Sequence, residues 1–155
     1  LAPVDLARLL ARVVAREQRA DESVRTRLVG LQDPLVVTAD EELLERAFEN
    51  VVRNAVEAAG RGGGLVEVSA RRAEGLVDVL VDDDGPGLAA DHPREVRPFY
   101  TTRPGGLGLG LPLARKIVLL HGGVLRLEGG SSGGVRVTVS LPAGGPEEHP
   151  TPVAS

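Results

Sequence analysis

Apolar positions recur in two rhythms along this chain, one helical and one extended. Near the start, Leu6, Leu9, Leu10, Val13 and Val14 fall three and four apart, so 6–17 reads as an amphipathic helix with Asp5 as its N-cap. Residues 24–31 and 35–38 read as short strands. Asp40 is placed to cap a second helix, EELLERAFENVVRNAVEAA, which stops at Gly60 and the GRGGG break. Residues 65–71 and 76–82 alternate as strands around a tight turn at 73–75. A third helix is expected over about 109–121, ending at Gly122 and Gly123. A last hairpin joins 124–128 to 135–141 across GGSSGG. The order α, β, β, α, β, β, long loop, α, β, β predicts an α+β two-layer sandwich, a mixed and mostly antiparallel sheet packed on about three helices.

Two stretches break the rhythm. Residues 84–106 are rich in proline and glycine, and a loop that long inside a domain signals function or disorder. From Ala143 the chain is rich in Pro, Gly and Glu, so 143–155 is expected to be a disordered tail after a domain spanning 1–142. The length of 155 residues suits one domain, and the 42% hydrophobic content supplies a core, mostly aliphatic because only two Phe and one Tyr are present. A net charge of −4 argues against a nucleic-acid partner. No apolar run reaches the roughly 18 residues needed to span a bilayer, so no membrane contact is expected of this domain and a cytoplasmic location fits. With no cysteine, there is neither a disulfide framework nor a thiol nucleophile. The pattern is already under way at Leu1, as expected of a piece of a longer protein.

Chemistry enters on the second helix. Leu44, Ala47, Phe48, Val51, Val52, Ala55 and Ala58 share its apolar arc, and Asn50, Asn54 and Glu57 follow at i, i+4, i+7 along the edge of that arc. Asparagine is a mediocre helix former, so two stacked one turn apart are either solvated surface groups or a row of oxygens facing a ligand. Oxygens of this kind suit Mg²⁺, which is held by few protein groups together with phosphate oxygens.

In VDVLVDDDGPGL a strand ends in three aspartates. If Val77, Val79 and Val81 face the core, Asp83 continues that face, and a carboxylate there needs a donor. An exocyclic amine such as adenine N6 would serve, and Gly85 and Gly87 would let the backbone approach a flat ring. The run TTRPGGLGLGL lacks the pattern of a P-loop, and Leu111 stands where the dinucleotide fingerprint needs its last glycine. What remains is a Gly-x-Gly-x-Gly run entering a helix. Its amides and helix dipole would attract an anion, unless it is merely a flexible linker.

Together these segments resemble the catalytic ATP-binding domain of sensor histidine kinases, within the GHKL ATPase superfamily. FENVVRNAVEAA is similar to the N box, VDDDGPGL to the first G box, RPFYTTR to the F box and GGLGLGL to the second G box, in the family's order. The likeness covers roughly 1–142 and is strongest to the nitrogen-regulation type. It implies ATP and Mg²⁺ as cofactors. Asn54 would be the metal ligand, and Asn50 would lie near metal and phosphates. Asp83 would receive adenine N6, with Gly85 and Gly87 beside the base and 88–105 as a lid that Phe99 and Tyr100 pack down. Thr102 and Arg103 would face the phosphates, Arg103 in place of the more usual Lys. Gly106, Leu107, Gly108, Leu109, Gly110 and Leu111 would wrap the triphosphate, with Leu109 and Leu111 also anchoring the helix. Asn50 and Arg103 are the residues assigned to catalysis.

Hydrolytic members of the superfamily carry a Glu four residues before the metal Asn. Asn50 stands there instead, and Glu49 is about 100° further round the helix. The resemblance therefore implies a kinase that passes the γ-phosphate to a His on a separate dimerisation hairpin, with a response regulator downstream. None of the three histidines, His92, His121 and His149, lies in an acceptor motif; His121 is expected to partner a helix C-terminus. Alone, the chain should be a monomer that binds nucleotide and turns over little. The alternatives are a stand-alone protein-serine kinase of the anti-sigma-factor type and a nucleotide-sensing module without transfer activity.

Overall fold

A computed structural model of the chain describes residues 1–31, 35–86, 110–130 and 133–144. Their elements are β1 (Ala2–Asp5), α1 (Leu6–Ala20), β2 (Arg25–Leu28), β3 (Val36–Ala39), α2 (Glu41–Ala59), β4 (Leu65–Ala73), β5 (Leu76–Asp83), α3 (Gly110–Leu120), β6 (Val124–Gly129) and β7 (Val135–Pro142). The main sheet has five strands in the order β2-β4-β5-β7-β6, antiparallel except where β2 runs parallel to β4. The three helices form the second layer, as the periodicity predicts, and fill the space between with Leu6, Leu9, Leu44, Phe48, Val51, Val68, Val79 and Val118, all fully buried.

Two features differ from expectation. The first residues form a strand: β1 pairs antiparallel with β3 in a separate two-stranded sheet, Ala2 opposite Ala39. Only Val4 of β1 is buried, so four residues offered too little alternation to reveal it. Consequently β2 and β3, neighbours in sequence, lie in different sheets. Chain order continues past the expected boundary at 142. Ala143 donates its amide to the Gly75 carbonyl (2.9 Å) and Gly144 to that of Val36 (2.8 Å), so these two residues belong to the fold; 145–155 lie outside the described residues.

Local chemistry sets the element ends. Asp5 caps α1 by accepting from the Arg8 amide at 3.3 Å, and Asp40 caps α2 by accepting from that of Leu43 at 3.1 Å. The outer edge of β2 is covered by a side chain. Gln18 on α1 donates to the Val24 carbonyl (2.9 Å) and accepts from the Thr26 amide (2.8 Å), so its carboxamide stands in for the peptide of a neighbouring strand. Across the face turned away from the helices, Arg27, Glu67, Asp82 and Arg136 fall in one row. Glu67 and Asp82 are directly opposed like charges, and each is drawn to its outer neighbour, Arg27 at 2.5 Å and Arg136 at 2.7 Å.

The β4–β5 hairpin turns on Glu74 and Gly75, with φ of 54° and 81°. Two left-handed residues in a two-residue loop match the right-handed twist of the strands, but Glu74 carries a Cβ that disfavours this region. Asparagine tolerates it better. Glu74→Asn is expected to stabilise the domain by a few tenths to about 1 kcal/mol, read as a higher urea midpoint with unchanged slope.

Candidate functional site

Helix α2 is the spine of the site. Its apolar arc is buried against β4, β5 and α3, and the edge of that arc carries Asn50 and Asn54 half-buried and Glu57 exposed. Glu49 is turned the other way, into an ion pair with Arg16 of α1. No described carboxylate therefore stands on the stripe one turn before Asn54.

Helix α3 packs against α2, and the residue that follows it meets the α2 N-cap: the Asp40 amide donates to His121 Nε2 at 3.1 Å. The two helices therefore run in opposite directions. The eleven residues of α3 span about 16 Å. Eleven residues forward along α2 from Asp40 lies Val51, between the two asparagines. The N-terminal end of α3, at Gly110, thus comes level with the asparagine stripe. A Cβ on Gly110 would meet no described atom within 4 Å, so packing does not demand glycine there, while Leu111 packs on the core.

The three consecutive aspartates resolve their repulsion by pointing three ways. Asp82 faces out to Arg136. Asp84 turns back and accepts from the Leu65 amide at 2.9 Å. Asp83 points inward, only 4% exposed, as the alternation of β5 requires. Its Oδ1 accepts from the amides of Gly85 (2.8 Å) and Val135 (3.4 Å), and Oδ2 has no bond to a described residue. Burial pushes the Asp83 carboxyl above the usual carboxylate range; the two amides oppose that shift, and the neighbouring Asp84 and Asp82 add to it.

Three glycines hold this turn, of which Gly63 and Gly134 read in the sequence only as breaks. A Cβ on Gly134 would run into the Asp83 carbonyl, one on Gly85 into the Ala58 carbonyl of α2, and one on Gly63 into the Asp84 carboxylate. Gly63 and Gly134, with the Val135 amide, are the contributors that residue-by-residue reading missed. The available signal was the density of glycine in GRGGG and GGSSGG, beyond what a turn needs. Asn50, Asn54, Asp83, Gly85, Gly110 and Leu111 lie among the described residues. Gly87, Thr102, Arg103, Gly106, Leu107, Gly108 and Leu109 lie outside them, as do the expected lid over 88–105, His92 and His149. Among the described residues no group of three His, Cys, Asp or Glu side chains could hold a metal ion. A cation here would rely on amide oxygens and on the ligand's own oxygens, which is how Mg²⁺ is commonly held beside phosphates.

Residues 39–145, covering both the α2 stripe and the Asp83 turn, match the family of histidine kinase-, DNA gyrase B- and HSP90-like ATPases. The chain belongs to this ATPase family. Among curated relatives, the C4-dicarboxylate transport sensor protein DctS of Rhodobacter capsulatus is 34% identical over 148 residues, 92% of this chain and 22% of that protein. Sporulation kinase C of Bacillus subtilis is 32% identical over 111 residues, 71% of this chain and 26% of its own length. The chain thus spans about a quarter of these relatives. Among solved structures, the mycobacterial sensor histidine kinase MprB superposes with a TM-score of 0.79 at 30% identity, covering 91% of this chain and 96% of that one. The ATP-binding domain of PrrB from Mycobacterium tuberculosis gives 0.76 at 29%, covering 93% and 98%. The ATPase domain described here is therefore of the histidine kinase type. None of its described helices is long and apolar enough to cross a membrane.

The buried Asp83 makes a prediction about stability. Its folded-state affinity for a proton exceeds that of an unfolded aspartate, so the charged form costs stability. The cost is absent below the ordinary aspartate range, near pH 4, and grows as pH rises through the raised folded value. Asp83→Asn keeps an acceptor for both amides without the charge. At pH 7 the ligand-free variant is expected to be at least as stable as wild type, with that advantage shrinking towards pH 4. Urea denaturation at both pH values checks this; a loss above about 1 kcal/mol at pH 7, the size of one net hydrogen bond, would refute it.

Proposed function

We propose that this chain is the Mg-ATP-binding catalytic domain of a two-component sensor histidine kinase, donating the γ-phosphate to a histidine on a separate helical hairpin. The observation that carries the reading is the convergence on α2: the asparagine stripe, the N-terminal end of α3 level with it, and one turn further on the turn of the buried Asp83, whose Gly85 lies against Ala58. Asp83 accepts from the exocyclic amine of adenine, with Gly85 and Gly87 beside the ring. The amides of the run from Gly106 to Leu111 and the dipole of α3 receive the phosphates. Thr102 and Arg103 add to that charge from the lid over 88–105. Asn54 holds Mg²⁺, with Asn50 beside it; the ion would neutralise charge on the phosphate oxygens.

The same geometry supports transfer rather than hydrolysis. Asn50 sits one turn before Asn54, and the adjacent Glu49 is committed to Arg16. Without a carboxylate base, water is poorly activated and the phosphoryl group is kept for a better-placed nucleophile. The partners in this reading are the acceptor hairpin of the same protein and a downstream response regulator, both on the cytoplasmic side, and the isolated domain is a monomer.

Calorimetry with Mg-ADP tests the site. Wild type is expected to bind in the micromolar range, about 8 kcal/mol, and Asp83→Asn to lose most of that while staying folded. Asn54→Ala is expected to remove the Mg²⁺ dependence of ATP binding. Equal affinity in the Asp83 variant would sink the adenine assignment, and an unchanged Mg²⁺ dependence would remove Asn54 as ligand.

The activity is tested by mixing the domain with an acceptor hairpin and labelled ATP. Acid-labile phosphate on histidine is expected, with little phosphate released in the absence of the hairpin. Acid-stable phosphate on serine of a protein partner would replace this reading with a protein-serine kinase.

A further inference from the structure

His121 closes α3, and both of its ring nitrogens are engaged. Nδ1 lies 2.8 Å from the Ile117 carbonyl of its own helix, and Nε2 lies 3.1 Å from the backbone nitrogen of Asp40. A carbonyl only accepts, so Nδ1 carries the proton. A backbone amide only donates, so Nε2 is bare. These two contacts together select the neutral Nδ1–H tautomer.

The second bond reaches 81 positions back along the chain, to the residue that caps α2. Elsewhere α3 buries Ala114, Ile117 and Val118 in the core, and its end passes through Gly122 and Gly123, whose amides donate to the Leu119 and Val118 carbonyls, into β6. Apolar burial is non-directional. The His121–Asp40 bond is directional and adds a polar restraint between the two helices. It locks the C-terminal end of α3 to the N-terminal end of α2, and thereby sets where Gly110, at the other end, stands against Asn50 and Asn54. The cavity that His121 lines is walled from β3 and β7 by Val37, Thr38, Ala39, Leu141 and Pro142, none with a charged side chain. The Asp40 carboxylate is occupied in capping Leu43.

We propose that His121 is a positioning residue for nucleotide binding, acting as a neutral tautomeric clamp that sets the register of α3 on α2. This rests on the nucleotide-site reading above. Three variants separate the two bonds. His121→Gln keeps an acceptor long enough to reach the Asp40 amide. His121→Asn keeps only a donor for Ile117. His121→Ala keeps neither.

The test combines 15N NMR of the imidazole, hydrogen exchange of the Asp40 amide, and Mg-ADP calorimetry on variants confirmed folded by circular dichroism. Wild type is expected to show a protonated Nδ1 and a bare Nε2 in slightly alkaline buffer. The Gln variant is expected to keep Asp40 protected and to bind within about twofold of wild type. The Asn and Ala variants are expected to expose Asp40 to exchange and to lose up to about tenfold in affinity, the scale of one net hydrogen bond. An Nε2–H tautomer, or a Gln variant no better than Ala, would overturn the clamp. Wild-type affinity in the Ala variant would overturn the positioning role alone. Failure of wild type itself to bind ADP would overturn the nucleotide-site reading, and the positioning role with it.

Discussion

Burying the carboxylate of Asp83 is the unfavourable act around which this domain is arranged. A charged group at the inner end of β5 loses its water and sits between two further aspartates. The fold answers with two backbone amides aimed at one oxygen, from Gly85 and Val135. Those amides arrive only because neighbouring backbones approach more closely than a side chain would allow, at Gly134 over the Asp83 carbonyl and at Gly85 over Ala58. Asp82 and Asp84 are drawn off by Arg136 and the Leu65 amide. The order β4-β5-β7 follows the same logic, since the central strand carries the acceptor and its neighbours deliver the contacts.

Among the described residues one oxygen of Asp83 is thus satisfied by two amides, and the proposed contact with a donor-bearing ring would fall to the other. A fully solvated aspartate would exchange one set of hydrogen bonds for another with little net gain. In the proposed role, an aspartate already desolvated by the fold meets that cost when the chain folds rather than when the ligand binds. The asparagines on α2, proposed to face metal and phosphates, are neutral, half-buried and set on a long helix whose apolar arc is committed to the core.

Much of this was legible in the residues, for identifiable reasons. The alternation of Val77, Val79 and Val81 pointed Asp83 inward because strand periodicity is two, and the i, i+4 spacing put Asn50 and Asn54 on one edge because helical periodicity is near 3.6. Asp5 and Asp40 marked helix starts through the chemistry of capping. What escaped depended on distance in sequence. β1 is too short for its pattern to register, and its partner β3 lies more than thirty residues on. The pairing of β2 with β4 rather than β3 follows from core packing and leaves no local mark. Gly63 and Gly134 looked like ordinary breaks because the groups that need their smallness, the Asp84 side chain and the Asp83 carbonyl, lie far from them in sequence. His121 was legible as a helix-end residue, but not its bond to Asp40.

The side-chain cover on β2 bears on how copies of this domain can meet. A sheet with two open edges can extend indefinitely, each copy adding to the last. Here Gln18 occupies the Val24 carbonyl and the Thr26 amide at one edge, and β6 is the end strand on the other side of the main sheet. One carboxamide thus blocks the repeated edge-to-edge addition that needs both sides of the sheet free.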